Sequence, residues 1–417
     1  ASIEGEDFTL QVLLRLDQLE DLFTCDQIDI LEKNYRMIKL QEAHEVNHTT
    51  FDFYRFTHRF FREYIYEQLS PAKKRILHLN VGNTLEDLYE ADRDIVAAQL
   101  AFHFREAHEW SRALEYALKA ARFEQRRYGW LESRKLCLMA LGLINDSSIK
   151  DADLVKADIL DCLAFGYYHT GKYKDALKAY SDLLNQSESF QLSPEKLGSY
   201  CAILADIGDN TRLLKEAQEF IETGNRKLSE TNSRHSEAQI ELNISQAQIH
   251  IRLGRLQQAA AILHESLELA DRLPQVDSLK KTLVRGYNTL GIVLGNLNLY
   301  LEAEEAFVRA RTLAGAVGEF KFAIDSTLNL ASDYYERVTL LEKADELVSE
   351  ALELAEKIGD LDGVAYAYNT RAQVTLASGR PEQAINYFER AIKMSRDIGA
   401  LWNMPYMYAD LARAHLA

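Results

Sequence analysis

Leu290-Gly291-x-x-Leu294, then Asn298-Leu299-Tyr300, then Ala303-x-x-x-Phe307-x-x-Ala310: this stretch decides the fold. It reads as two amphipathic helices joined by a tight turn, with a small residue opening the second helix. The same small residue recurs as Ser133, Ala176, Ala217, Ala259, Ala303, Ala344 and Ala384, at gaps of 43, 41, 42, 44, 41 and 40. Internal periods of this size mean a solenoid, in which each helical hairpin buries its apolar face only against its neighbours. Such an array offers a long concave surface rather than a catalytic pocket, so binding is the function to expect.

The residue types follow from packing. Ala303, Ala310 and Gly291 let helix backbones approach, and Leu290 and Phe307 fill the space between them. A Leu or Phe buried in this way contributes about 1.5–3 kcal/mol. From Trp130 the hairpin is written seven times, with regular pairs near 152–188, 195–230, 233–272, 277–315, 320–357 and 362–397. Turns such as His169-Thr170-Gly171-Lys172, Leu253-Gly254-Arg255 and Ser378-Gly379-Arg380-Pro381 carry the glycine that ends a helix in the left-handed conformation. The last segment, Met404 to Ala417, holds one fresh helix with Leu411-Ala412, so the final repeat reads as truncated.

Bulk properties narrow the function. The 417 residues are 47% apolar, enough for a buried core, and include only five prolines. The 64 acidic and 48 basic residues give a net charge of −16, a field that repels a phosphate backbone. No apolar run reaches the length of a membrane span and no signal peptide opens the chain, which reads as cytoplasmic. Cys25, Cys137, Cys162 and Cys201 lack paired spacing and read as small buried hydrophobes in a reduced compartment. Residue 1 is Ala rather than Met, so the sequence reads as a piece of a larger protein.

Residues 1–92 lie outside the repeat. Phe8 to Leu19 and Asp21 to Met37 read as helices; Met37–Gln41 and Phe51–Phe56 are β-prone pieces joined by the polar stretch Glu42–Thr50. Helices from Thr57 to Leu69 and from Pro71 to Glu90 follow, with Ser70-Pro71 as the junction because proline suits a first helical turn. Helices followed by a two-stranded wing predict a winged-helix domain over 1–92. Residues 93–417 then form the solenoid of about seven helical pairs, entered through helices near Asp94–Glu109, Glu109–Arg126 and Trp130–Leu143. The fold class is all-α with a minor β wing.

The Leu-Gly/Ala pair, the aromatic turn residue and the Ala-x-x-x-Phe/Tyr-x-x-Ala signature resemble tetratricopeptide repeats; Tyr173, Ala176 and Tyr180 fit, as do Ala384, Phe388 and Ala391. The period here is longer than the one usual in that family, as in the extended repeats of bacterial MalT-like regulatory ATPases and kinesin light chains. Farther upstream, the order Ala1 to Phe8, Tyr54-Arg55-Phe56-Thr57-His58-Arg59-Phe60-Phe61-Arg62-Glu63 and Leu69-Ser70-Pro71-Ala72-Lys73-Lys74-Arg75 resembles signal-transduction ATPases with numerous domains, the STAND class. There a winged helix links a nucleotide-binding module to a repeat-built sensor. The resemblance puts His58 at the histidine that contacts the β-phosphate of ADP, with Arg59 where the motif often has Asp. ADP or ATP would then belong to the full-length parent, and this region itself would need no cofactor.

Three motifs compete with that picture. His44-Glu45-Val46-Asn47-His48 spells a zinc-protease pattern, but it lies in the wing, whereas the chemistry needs both imidazoles on one face of a helix. Gly166 to Tyr173 approximates a phosphate loop, yet Tyr173 replaces the magnesium-binding hydroxyl and no buried strand precedes it. Arg55, Arg59, Arg62, Lys73, Lys74 and Arg75 against Glu63 and Glu67 make a local +4, but the preceding helix brings Asp21, Asp26, Asp29 and Glu32. That argues for an intramolecular role over DNA binding.

The remaining constellation is a row of asparagines. Asn243, Asn288, Asn329 and Asn369 recur at gaps of 45, 41 and 40 in successive first helices, with Tyr287, Tyr335, Tyr366 and Tyr368 close by. Asparagine offers a donor and an acceptor, so a ladder can hold an extended peptide by its backbone, and tyrosine adds contact area at low entropic cost. The alternative is that each Asn bonds its own solenoid. The sequence therefore reads as a non-catalytic sensor of a signalling ATPase that binds a peptide, protein or small inducer and relays this through the winged helix to an upstream nucleotide-binding domain. Two other functions stay open, a DNA-binding regulator acting through the winged helix and a constitutive scaffold.

Overall fold

Ser133, Ala176, Ala217, Ala259, Ala303, Ala344 and Ala384 all have 0% exposure, so the spacing seen in sequence is the spacing of tight helix contacts. The computed structural model describes the chain apart from residues 17–20, 42–43, 47–48, 128, 147–151, 171, 212, 232, 337–339 and 399–403. Packing divides it into two units, Ala1–Gln191 and Leu192–Ala417.

The first unit begins with strands. β1 (Asp7–Thr9), β2 (Ile38–Leu40) and β5 (Phe53–Phe56) form an antiparallel sheet in the order β1-β5-β2, with Asp7 opposite Arg55 and Ile38 opposite Phe56. Between β2 and β5 lies a hairpin of β3 (His44–Val46) and β4 (Thr49–Phe51). Helices α1 (Leu10–Leu16) and α2 (Asp21–Asp29), the latter running into a π turn at Ile30–Asn34, lie between β1 and β2. Two expectations need correcting. Phe8 and Thr9 belong to a strand rather than to the first helix, because Phe8 packs its ring on Tyr54 and Phe56 at centroid distances of 5.8 and 5.3 Å. The polar stretch Glu42–Thr50 is also no plain connection, since it carries most of the hairpin.

Helices α3 (Arg59–Glu67) and α4 (Pro71–Leu88) follow, and Ser70 Oγ accepts from the Lys73 amide at 3.3 Å, capping α4 as its Ser-Pro sequence requires. Next come α5 (Ala97–Glu106), α6 (Trp110–Arg126), α7 (Trp130–Asp146), α8 (Ala152–His169) and α9 (Tyr173–Asn185), each packed on the one before. A Cβ at Gly82 of α4 would stand 2.8 Å from the Phe104 ring of α5, so the close-approach device operates before the regular repeat begins. Cys137 and Cys162 are buried and lie together on α7 and α8, with Ser133 Oγ 3.9 Å from Cys162 Sγ.

At the α3–α4–α5 junction sits a buried polar chain. Tyr66 Oη is 3.1 Å from His78 Nε2, and His78 Nδ1 is 2.9 Å from His103 Nδ1. Both imidazoles are buried, and one proton serves the Nδ1–Nδ1 contact; a second would set N–H against N–H.

The second unit is a regular run of hairpins. Its first helices are α10 (Pro194–Asn210), α12 (Glu237–Arg252), α14 (Asp277–Asn296), α16 (Phe320–Glu336) and α18 (Leu361–Ala377). They alternate with second helices α11 (Leu214–Glu230), α13 (Leu256–Ala270), α15 (Tyr300–Val317), α17 (Leu341–Ile358) and α19 (Pro381–Ile398), and α20 (Met404–Leu416) packs on α19. Successive first helices touch one another, whereas among the described residues successive second helices make no comparable contact. The first helices are therefore the inner, more crowded layer. Gly254 and Gly379 turn the chain with φ of +70° and +75°, as read from sequence, while Gly171 lies outside the described residues. A Cβ at Gly291 would come within 2.6 Å of the Phe307 ring.

Two outcomes follow. Gly291→Ala should cost about 1–3 kcal/mol by overpacking, whereas Gly315→Ala, with nothing within 4 Å of the new methyl, should be neutral or stabilise by roughly 0.5–1 kcal/mol; urea unfolding of the two variants compares them. Burial pushes His78 down to about 4 and His103, also opposed by charge on His78, to about 3. The unfolded imidazoles take protons near pH 6.5 while the folded ones refuse them, so stability contributed by neutrality is lost as pH falls below 6.5. The loss should reach about 1.4 kcal/mol per pH unit for each histidine, and the double variant His78→Leu/His103→Leu should show a shallower decline between about pH 6.5 and 4.5.

Candidate ligand-binding face

Helix register decides which side chains share a face. Asn288 precedes Ala303, the buried alanine of its own hairpin, by the same interval that separates Asn329 from Ala344 and Asn369 from Ala384. From Asn243 to Ala259 the interval is one residue longer. A single residue is about 100° of helix rotation, so three asparagines align and the fourth turns away.

The contacts agree. Asn329 Nδ2 donates to Asn288 Oδ1 at 3.0 Å, and Tyr366 Oη donates to Asn329 Oδ1 at 2.8 Å, linking α14, α16 and α18. Asn243 instead accepts from Gln239 at 3.0 Å, and the same amide reaches Asn225 on α11 at 2.8 Å. Its aligned counterpart on α12 is Ile244, buried in the core. Asn369 is 3% exposed, and its Oδ1 is buried with no hydrogen-bond partner. Asn288 uses its oxygen and leaves its amide protons unspent.

The tyrosines divide by the same rule. Tyr287 and Tyr368 share the longer interval of Asn243, counted to Ala303 and Ala384, and turn toward the second-helix layer. Arg309 of α15 lies 5.7 Å from the Tyr287 ring centre, and Arg390 of α19 lies 4.0 Å from that of Tyr368, which also stacks on Tyr387 at 6.2 Å. Tyr366 lies three residues before Asn369 and shares its face. Tyr335 belongs to α16, and its side chain lies outside the described residues.

Charged ties that carry no sequence motif complete the face. Buried Asp206 on α10 accepts from Ser245 Oγ of α12 at 2.6 Å and pairs with Arg285 of α14. Asp209 pairs with Arg252 at 3.1 Å, and burial nevertheless pushes its carboxyl up. Asp410 binds Gln373 at 2.7 Å and Arg413. The register count could have exposed Arg285, which lies three residues before Asn288.

Elsewhere, His58 is exposed at the residue before α3, with its ring 5.6 Å from Phe61. Most of the basic cluster is occupied internally. Arg55 pairs with Asp7 at 2.5 Å and Arg59 with Glu63 at 2.6 Å, Arg62 donates to the Ser2 carbonyl at 3.3 Å, and Lys74 sits 4.1 Å from the centre of the Tyr66 ring. His44 and Glu45 lie on a strand rather than on a helix, and His48 lies outside the described residues. Gly166 lies within α8. Among the described residues no group of three or more metal-ligating side chains is assembled.

Comparison places this architecture. Residues 322–397 match the family model for the tetratricopeptide repeat. No curated protein matches the chain. Among solved structures, the Rap conjugation gene regulator of plasmid pLS20, in complex with the Phr* peptide, superposes with a TM-score of 0.56 at 11% identity, over 82% of this chain and 94% of that one. A Rap protein complexed with Competence and Sporulation Factor gives 0.52 at 12%, over 79% and 96%. A STAND protein with a tetratricopeptide repeat sensor from Pyrococcus horikoshii gives 0.54 at 14%, over 100% of this chain and 61% of that one. This chain thus spans less than two thirds of the STAND protein's length. The likeness is one of fold: all-α, built from tetratricopeptide-type helical repeats.

Asn329→Ala should remove both bonds of the row and cost about 1–3 kcal/mol, and Tyr366→Phe, losing one, about 0.5–1.5 kcal/mol. Thermal melting of the two variants checks the order; equal melting would mean the row is not bonded in solution.

Proposed function

We propose that the chain is a non-catalytic recognition and relay region whose inner helix face holds a short extended peptide or protein segment. The observation that carries this reading is the uneven satisfaction of the asparagine row. Asn329 is engaged through both its amide and its oxygen, whereas Asn288 retains amide protons and Asn369 retains a buried acceptor. A peptide backbone supplies the complementary C=O and N–H. The Rap structures, solved with a peptide and with a sporulation factor on the same fold, support the choice of ligand class.

The N-terminal module would be the relay. Its sheet order β1-β5-β2, with α1 and α2 between the first two strands and a hairpin between β2 and β5, is the arrangement expected of a winged helix. The STAND sensor's fold supports placing that module beside a nucleotide-binding domain in a longer parent. DNA recognition is disfavoured because α2 carries Asp21, Asp26 and Asp29 and no basic residue. Among the described residues no helix is long and apolar enough to cross a membrane.

For peptides selected on the chain from a random library, Asn288→Ala and Asn369→Ala should each weaken binding by about 0.5–1.5 kcal/mol. Undiminished affinity with early melting of both variants would return the row to a scaffolding role. In a nucleotide-bearing parent, His58→Ala should weaken ADP retention and raise basal output; unchanged nucleotide content would leave His58 without that role.

A further inference from the structure

One carboxylate on the inner face is left half-satisfied. Glu241 on α12 precedes Ala259 by the same interval that separates Arg285 from Ala303 and Tyr366 from Ala384, which puts it on the face of the asparagine row. Its Oε1 receives a long contact from Thr282 Oγ1 at 3.5 Å, while Oε2 is buried and has no hydrogen-bond partner. The neighbouring acids are engaged: Glu237 takes Thr282 at 3.0 Å and Ser278 at 2.9 Å, and Asp206 takes Ser245 and Arg285. Asp206 and Glu241 thus share the charge of the one Arg285 guanidinium, and Glu237 stands beside Glu241 through their common neighbour Thr282.

A buried carboxylate oxygen without a donor is unfavourable unless the carboxyl takes a proton or a donor from outside completes it. Burial already pushes the Glu241 carboxyl up, against a side-chain hydrogen bond from Ser199 and the charge of Arg285. Water-like neutral donors would satisfy the oxygen but not the excess charge. A cationic donor does both.

We propose that Glu241, with Asp206 and Glu237 beside it, forms a subsite for a protonated amine or guanidinium, so that the bound peptide carries a Lys or Arg side chain, or its free amino terminus, toward α12. This rests on the peptide-groove reading above. From α12 to α18 are three helix steps of about 8–10 Å, which an extended chain rising about 3.3 Å per residue covers in roughly seven to nine residues. Octapeptides are accordingly the suitable probes.

The test uses the full chain and four octapeptide-amide pools, randomised except at one position: acetylated with a fixed Arg, acetylated with a fixed Lys, acetylated with a fixed Ser, and unacetylated with the fixed Ser. Fluorescence anisotropy should show at least roughly tenfold tighter binding of a cationic pool over the acetylated Ser pool, erased by Glu241→Gln. The same variant should keep its affinity for the acetylated Ser pool and its melting temperature. Preference for the acetylated Arg or Lys pool assigns the subsite to a side chain, and preference for the unacetylated pool assigns it to an amino terminus; either supports the subsite. If all four pools bind equally and Asn369→Ala weakens them all, the cationic subsite is overturned and the groove stands. A preference that survives Glu241→Gln overturns it too. If no pool binds, both readings fall.

Discussion

Everything in the repeat region depends on how close two helix backbones can come. The zero-exposure small residues from Ser133 to Ala384 set that distance, and the bulky partners are cut to it: Phe307 occupies the space a Cβ at Gly291 would need, and Phe104 does the same at Gly82. Native packing density leaves no slack at such contacts. Fixing the approach fixes the rotation of each helix, and rotation decides which side chains reach the inner face. The composition of the inner face is thus a by-product of the packing rule.

That dependence explains what could be read from sequence. Hairpin boundaries were legible because a period near 41 leaves repeated small residues and turn glycines. Within the asparagine row, the spacing held the answer only when counted to the buried alanine. That interval is the same for Asn288, Asn329 and Asn369, and one residue longer for Asn243, Tyr287 and Tyr368. Counting from one asparagine to the next hides a single-residue slip, because loop lengths vary between repeats. Proximity along a helix likewise grouped Tyr368 with Asn369, although neighbouring residues on a helix face different ways.

What sequence could not show were contacts made across distance. Phe8 and Thr9 look helical locally and become a strand only because β5, far along the chain, offers an edge and two aromatic rings. The Tyr66–His78–His103 chain joins three helices through residues with no motif among them. Asp206, Ser245 and Arg285 form one tie from three separate repeats. In each case the partner is specified by the fold, and the residue alone carries no sign of it.

The Asp206–Arg285 tie also bears on how the array bends. It joins α10 to α14 over the intervening α12, so that three hairpins are braced by a charged strut rather than held only by contact with the next in line. From α14 to α18 the asparagine row gives only neutral amide and hydroxyl bonds between immediate neighbours, and the ion pair Lys321–Asp362, at 3.9 Å, also joins immediate neighbours. Springs in series deform where they are softest. A change of curvature in the second unit would therefore gather in the α14–α18 half, beneath the asparagine row, while the α10–α14 half acts as its anchor.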